Sequence, residues 1–384
     1  MLLYVLMKLG IDIIGSDHGR SGIGSYVQAL VKNLPDDASI SYELFGAEVD
    51  RYTFKSNNEH IRYKGLSLPD SISGDRLWHM FRMKKFIQNN NYDALLCVAG
   101  SKILPGKMTV PTIAVINGVV SNIINSKNDI WTRKMLLSNL KKVTKIIAAS
   151  QFIRKDLINL GIEKNRIEVV HNGIDHSMFY PRENLNNETV LIKPFAIKRP
   201  YIIYASRLSN EGKKHVELIN AFNMFKKNTG LPHRLVLAGN DDLNSEKIHL
   251  AASLSPYASD IFLTGYFPHE NLPELYCSAD ACIFPSIIEG VGLPVLEAMA
   301  SGVPVAVAKA GALPEIAGDG ALYFNPDDTE EFAHVIEEIL TNQKKRQSLI
   351  EFSTQWTERF SWKRTGEKTL QVIKNAVEEF AKSK

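Results

Sequence analysis

Short apolar runs alternate with helix-periodic stretches twice along this chain, and that doubled alternation constrains the fold more than any single motif. In the first series the spacing predicts strands at residues 9–14, 42–45, 94–98, 112–116, 145–149 and 167–170. Val27, Leu30, Val31 and Leu34 mark one face of an intervening helix. The second series predicts strands at residues 201–205, 234–238, 261–264, 281–284, 303–307 and 321–324, with helices at 215–226 and 330–342. Two successive α/β halves of similar length imply two doubly wound, Rossmann-like domains facing each other across a deep cleft, with ligands at the carboxyl ends of the strands. The expected boundaries are residues 1–185 and 186–360. A final helix at 361–384 has Ser361 as N-cap, Leu370, Ile373, Val377 and Phe380 on one face, and a path that can lead back to the N-terminal domain. Residues 183–200, rich in asparagine and proline, read as the linker.

At 384 residues each half is long enough to bury its own core. A hydrophobic content of 45% with 23% charged residues is that of a globular protein, and a net charge of +3 gives no argument for nucleic acid. Three cysteines make no disulfide framework, and Cys97 and Cys282 lie inside apolar runs that read as core. The ten histidines show no metal-ligand spacing. No apolar run approaches about 18 residues, so nothing reads as a membrane span; a cytoplasmic protein is expected, with peripheral contact at the inner membrane face left open. The first six residues either extend the first strand or precede a natural start at Met7.

The densest motif is Glu289-Gly-Val-Gly-Leu-Pro-Val-Leu-Glu297, between the strand at 281–284 and the strand after Gly302. Pro294 suits the first helical position and Gly302 the stop. The helix start offers backbone N–H groups and a positive dipole end to a phosphate, and Gly290 and Gly292 permit close approach. Two carboxylates there suggest hydroxyl-rich partners, such as a sugar and a ribose. The ordinary alternative is a solvated Glu289 and a Glu297 that merely favours the helix dipole.

Gly22-Ile23-Gly24-Ser-Tyr26 follows the first strand and opens a helix, as a phosphate-cradling loop does or as an ordinary tight turn does. It is neither the dinucleotide fingerprint nor a P-loop. Arg207 and Lys213, after the strand at 201–205, suit a diphosphate, or else are surface charges. The basic stretch 131–145 reads as a surface helix in preference to a lipid-facing one. No Gly-x-Ser-x-Gly elbow and no His-Glu-x-x-His helix is present.

Together these pieces resemble the family 4 retaining glycosyltransferases, which have the two-Rossmann GT-B fold. The resemblance runs from about Met7 to the C-terminal helix. It rests on the Glu289-x7-Glu297 pattern, with support from Gly22-Ile-Gly24-Ser-Tyr26, Ala149-Ser150, Val170-His-Asn172-Gly-Ile-Asp175 and Arg207…Gly-Lys213. It implies that Glu289 contacts donor-sugar hydroxyls and that Glu297 binds the ribose. Backbone N–H groups of Gly290, Val291, Gly292 and Leu293 would hold the sugar and diphosphate, and Arg207 and Lys213 would neutralise the leaving diphosphate. Gly22, Ile23 and Gly24 would close over the phosphates, and Tyr266 would frame the base. Where the family commonly places His-Asp, this chain reads Asn117-Gly118. Asn117 can bond a sugar hydroxyl but cannot transfer a proton at neutral pH.

The implied activity is metal-independent, cofactor-free, retaining transfer of a hexosyl group, mannosyl favoured. It would run from a nucleotide diphosphate sugar to a glycan or lipid-linked acceptor in surface polysaccharide or glycoconjugate synthesis. Acceptor loops are expected near 56–76 and 100–128. The rival readings are a nucleotide-sugar epimerase on the same scaffold and a non-catalytic nucleotide-sugar sensor.

Overall fold

The computed structural model describes residues 6–56, 58–68, 71–126, 130–182, 189–192, 195–209, 211–242 and 244–382. The chain forms two compact units, one running to Gly173 and resuming at Phe360, the other spanning Ile174–Arg359. The first holds a seven-stranded parallel sheet: β1 (Met7–Asp12), β2 (Ile40–Ala47), β3 (Ile61–Leu66), β4 (Ala94–Cys97), β5 (Thr112–Ile116), β6 (Lys145–Ala148) and β7 (Ile167–Val169). Its order is β3-β2-β1-β4-β5-β6-β7. The second begins with an antiparallel pair, β8 (Thr189–Ile192) and β9 (Phe195–Lys198). Its main sheet comprises β10 (Tyr201–Ala205), β11 (Arg234–Ala238), β12 (Ile261–Gly265), β13 (Ala281–Phe284), β14 (Val305–Ala308) and β15 (Ala321–Phe324). That sheet is ordered β12-β11-β10-β13-β14-β15.

Every residue of β4, β5, β10 and β13 is buried. Helices cover both faces of a parallel sheet, so its strands are continuous apolar runs with no polar alternation. Those runs made the central strands readable. β3 was not predicted: it is an edge strand, and its Arg62 and Lys64 break the apolar signal. The expected linker at 183–200 contains β8 and β9, with Phe195 stacked on Phe267 at 5.6 Å; residues 183–188 and 193–194 lie outside the described residues. The basic stretch 131–145 is not one helix. Helix Ile130–Leu140 ends before β6, where buried Lys145 pairs with Glu379 at 2.9 Å. The expected strand extension at residues 1–5 lies outside the described residues, as do 57, 69–70 and 127–128 of the expected acceptor loops.

The C-terminal helix, Trp362–Lys382, belongs to the first unit. Ser361 Oγ accepts from Arg364 N at 3.3 Å, which satisfies one of the helix's orphan donors. Leu370, Val372, Ile373 and Ala376 join the core of that unit, and Trp362 meets Tyr26 edge-to-face at 5.7 Å. Lys374 Nζ donates to Asp37 Oδ2 at 2.8 Å. That bond, with help from Ser39, lowers the Asp37 pKa to about 2. The contribution to stability is therefore present above the ordinary carboxylate range and is lost as pH falls toward 2. Two glycines permit the close approach of this helix. A Cβ on Gly173 would sit 2.1 Å from Trp362 N, and one on Gly366 would sit 2.2 Å from Asn33 O.

Gly366 yields a test of sign. In a free helix Gly→Ala gains roughly 1 kcal/mol. Here Gly366→Ala should instead lose roughly 1–3 kcal/mol through overpacking, read as a lower thermal midpoint; a raised midpoint would contradict this packing.

Candidate functional site

In the second unit the strand order reverses between β10 and β13, the switch point at which open α/β sheets leave a crevice outside their carboxyl ends. The loops leaving these two strands are fastened together. Tyr204, inside β10, bonds Ser286 Oγ at 2.9 Å and donates to Lys213 O at 3.1 Å. Gly212, at φ 75°, accepts from Ile287 N at 2.9 Å, and its missing Cβ leaves room for Ile288. Glu289 is gripped from a third side, where Ala312 N donates to its carbonyl at 2.8 Å beside Gly311.

This arrangement brings Lys213 Nζ to 2.8 Å from Glu289 Oε2, while Gly292 N donates to Glu289 Oε1 at 3.3 Å. Both side chains are mostly covered, at 24% and 16% exposure, so neither is a solvated charge. Burial works against the Lys213 ammonium, but the Glu289 carboxylate, with smaller contributions, more than offsets it and the pKa is raised. Lys213 is thus a fixed cation at neutral pH. Arg207 differs: its side chain is 74% exposed and bonds Asp242 at 2.8 Å, the arrangement of a surface ion pair. Lys214, left-handed at φ 59°, bridges Glu217 and Asp327.

Gly292, at φ 72°, caps the helix Leu293–Ala300. Pro294 falls at its second position, where the missing N–H is equally harmless. Gly302 N donates to Met299 O and Val303 N to Ala298 O, both at 3.1 Å, which closes the helix in a Schellman motif. Glu297 therefore lies in the second turn, beyond the strongest reach of the dipole, and its dipole-favoured reading falls. The residue is 8% exposed, and a buried carboxylate needs a partner. His269 supplies it, with Nε2 at 3.2 Å from Glu297 Oε1, against the edge of Phe179. Sequence reasoning missed His269, a single histidine with no spacing signal. Tyr266 follows Gly265 and is exposed.

In the first unit the helix Gly22–Lys32 starts where expected, with Ser21 Oγ accepting from Gly24 N at 3.3 Å. A Cβ on Gly24 would lie 2.4 Å from Gly19 Cα, whereas one at Gly22 would meet open space. Ile23 packs partly buried against the core. Asn117 follows β5; both polar atoms of its amide are buried with no hydrogen-bond partner among the described residues. Asn172 Oδ1 shares that condition. Among the described residues no group of three or more His, Cys, Asp or Glu side chains is placed to hold a metal ion, and no helix is long and apolar enough to cross a membrane.

Two sheets in Rossmann order, one with a cation–carboxylate pair at its switch point, have the architecture of the GT-B glycosyltransferase folds. Residues 20–178 match the model of "Glycosyltransferase Family 4", and residues 189–356 that of "Glycosyl transferases group 1". The chain belongs to the family 4, group 1 glycosyltransferases. It is 28% identical over 246 residues to the O-antigen chain mannosyltransferase B of Escherichia coli, covering 64% of each chain. It is also 28% identical over 239 residues to a sulfoquinovosyl transferase of Arabidopsis thaliana, covering 61% of this chain and 44% of that one. These matches span less than two thirds of the relatives' own lengths. Sucrose-phosphate synthase from Thermosynechococcus elongatus superposes with a TM-score of 0.75 at 17% identity, over 96% of this chain and 98% of the other. Anabaena HepE in complex with UDP-glucose gives 0.70 at 17% identity, over 96% and 100%.

The Glu297 bond leads the causes that raise the His269 pKa above 6.5, with burial opposing. The pair's contribution is accordingly full below that value and lost as pH rises through the folded pKa. An NMR titration should place the His269 midpoint above 6.5 in the wild type and lower it in Glu297→Gln; equal midpoints would refute the pairing.

Proposed function

We propose that this protein is a retaining hexosyltransferase, with a mannosyl donor favoured, acting from a nucleotide diphosphate sugar onto a glycan or lipid-linked glycan. The observation that carries the reading is the β10/β13 rim, where Lys213, Glu289 and a helix N-terminus converge. The mannosyltransferase among the similar chains supports the sugar class.

Breaking a sugar–phosphate bond builds negative charge on the departing diphosphate and positive charge on the sugar ring. A mostly covered ammonium and the positive end of the Leu293–Ala300 helix suit the first charge. The Glu289 carboxylate suits the second, and its free lone pairs suit sugar hydroxyls. In the proposed sequence Lys213 turns from Glu289 to the diphosphate as donor binds, and Arg207 leaves Asp242 to do the same. Glu289 then accepts from the sugar in place of Lys213, while Glu297 exchanges His269 for ribose hydroxyls. Tyr266 offers an exposed ring to the base, and Gly290 to Leu293 offer backbone groups to the sugar and phosphates.

The front-face route gives Glu289 an electrostatic and orienting role and lets the departing phosphate take the acceptor proton. No residue forms a covalent adduct, and the leaving group needs no cofactor or metal because protein cations meet its charge. In the first unit, the open backbone at Gly22 and the unpaired Asn117 amide would be further substrate contacts, while Ile23 and Gly24 hold the turn against the core. Asn117 would accept or donate one hydroxyl bond without moving a proton. The lack of a membrane-crossing helix among the described residues fits action on the inner membrane face through peripheral contact.

Glu289→Gln and Lys213→Ala should each lower the turnover number by about 10²–10³ while the chain stays folded, at a reduced thermal midpoint because each leaves a mostly covered partner unpaired. Acceptor-dependent nucleotide release from a panel of GDP-, UDP- and dTDP-sugars measures this. Wild-type turnover in both variants would remove the site assignment, and sugar interconversion without acceptor would indicate an epimerase instead.

A further inference from the structure

The loop that carries Lys213 is fastened from within by a buried histidine. His215 opens the helix His215–Thr229 and is 0% exposed. Its Nδ1 lies 3.1 Å from the Ser209 carbonyl oxygen, and its ring lies against Tyr204 with centroids 4.7 Å apart. A carbonyl oxygen only accepts, so the proton sits on Nδ1, which donates to Ser209. The Nε2 lone pair is left buried, with no partner among the described residues. Burial pushes the His215 pKa down to about 4, with the Ser209 bond opposing and the nearby Lys213 charge adding to the fall. The ring is therefore neutral at neutral pH and sets no second cation beside the Lys213 ammonium.

The bond to Ser209 closes the middle of the loop. At its start Leu208 N donates to Asn240 O at 2.8 Å. At its end Ile287 N holds the Gly212 carbonyl, and the Tyr204 hydroxyl holds that of Lys213. Ser209 N in turn donates to Arg207 O at 2.9 Å, so the pull of His215 reaches the backbone of Arg207 as well. Lys213 stands between two left-handed residues, Gly212 at φ 75° and Lys214 at φ 59°. A non-glycine residue keeps such a φ at a cost, and only while its surroundings hold it. Slack at Ser209 would let Lys214 relax and would turn the Lys213 side chain with it. An apolar ring would fill the same space beside Tyr204 without burying an unpaired nitrogen. What the imidazole adds is the Nδ1–H at Ser209.

We propose that His215 is a positioning residue, whose bond to Ser209 holds the loop in the shape that aims Lys213 at Glu289. Its part in turnover rests on the transferase reading; its hold on Lys213 is tested without turnover. Two substitutions separate this role from packing. His215→Phe keeps a ring against Tyr204 and loses the donor. His215→Asn loses the ring and keeps an N–H at the position of Nδ1. Thermal midpoints should place His215→Phe above His215→Asn, because the smaller side chain leaves a cavity. Lys213 should show the opposite order. Competitive acetic anhydride labelling of the full chain, read by tandem mass spectrometry, should rise at Lys213 by about tenfold in His215→Phe and by at most about twofold in His215→Asn. The kcat/KM for the nucleotide sugar, measured as acceptor-dependent nucleotide release, should fall by about tenfold in His215→Phe and be largely retained in His215→Asn. In the wild type, imidazole ¹⁵N shifts should report the Nδ1–H tautomer. The Nε2–H tautomer, wild-type labelling in His215→Phe, or labelling that follows the thermal midpoints would each overturn the proposal. A wild-type chain that releases no nucleotide from any GDP-, UDP- or dTDP-sugar would remove the transferase reading, while the labelling still decides the role of His215.

Discussion

Parallel strands force every connection to cross back over a face of the sheet, and all loops that leave the strands' carboxyl ends therefore gather on one rim. Where the order reverses, two such loops depart toward opposite faces and leave a crevice between them. The second unit brings a cation and a carboxylate together there. Lys213 comes from the β10 loop and Glu289 from the β13 loop, 76 residues apart in sequence and 2.8 Å apart in space. The Tyr204 hydroxyl ties both loops to the sheet, so their spacing is set by a core strand. In the first unit the reversal falls between β1 and β4, and the β1 loop supplies both the Gly22–Gly24 turn and the buried Ser16.

Glycine governs how closely these loops approach. Gly212, Gly292 and Gly311 all hold positive φ around Glu289, a conformation that side chains with a Cβ adopt at a cost. Gly311 has a further reason, since a Cβ there would lie 2.7 Å from the Glu289 carbonyl oxygen. The apparent weakness of a loop built on glycines is thus the condition for placing a carboxylate against a helix start.

The sequence carried the sheets because apolar runs such as Ile113–Val115 and Ile202–Tyr204 are buried on both sides, and burial on both sides leaves no polar interruption. It carried β3 poorly because an edge strand is half solvated, and β8 and β9 poorly because Pro194 and the neighbouring asparagines mask two short runs. The Glu289–Glu297 segment was legible because glycine, proline and carboxylate fall at fixed offsets within one turn-and-helix. Pairings across the unit were not. Nothing in the spacing joins His269 to Glu297 or Asp242 to Arg207, since each pair meets only after separate strands are laid side by side.

Two kinds of polar group stand near the candidate sites. At the rim of the second unit, charged groups are paired with one another: Lys213 with Glu289, His269 with Glu297, Arg207 with Asp242. A ligand that enters there must exchange partners, so the net gain per contact is small and discrimination depends on geometry more than on strength. In the first unit, Ser16 Oγ, the Asn117 amide and Asn172 Oδ1 are buried and unpaired among the described residues. A ligand that meets such a group recovers a desolvation cost of about 1–3 kcal/mol already present in the free protein. At a site that brought a ligand against such a group, a ligand lacking the matching hydroxyl would be rejected, because binding it would leave the group both buried and unpaired. Under the proposed function, hydroxyl pattern would therefore be read most sharply where the protein keeps polar atoms unsatisfied, and charge where it keeps them paired.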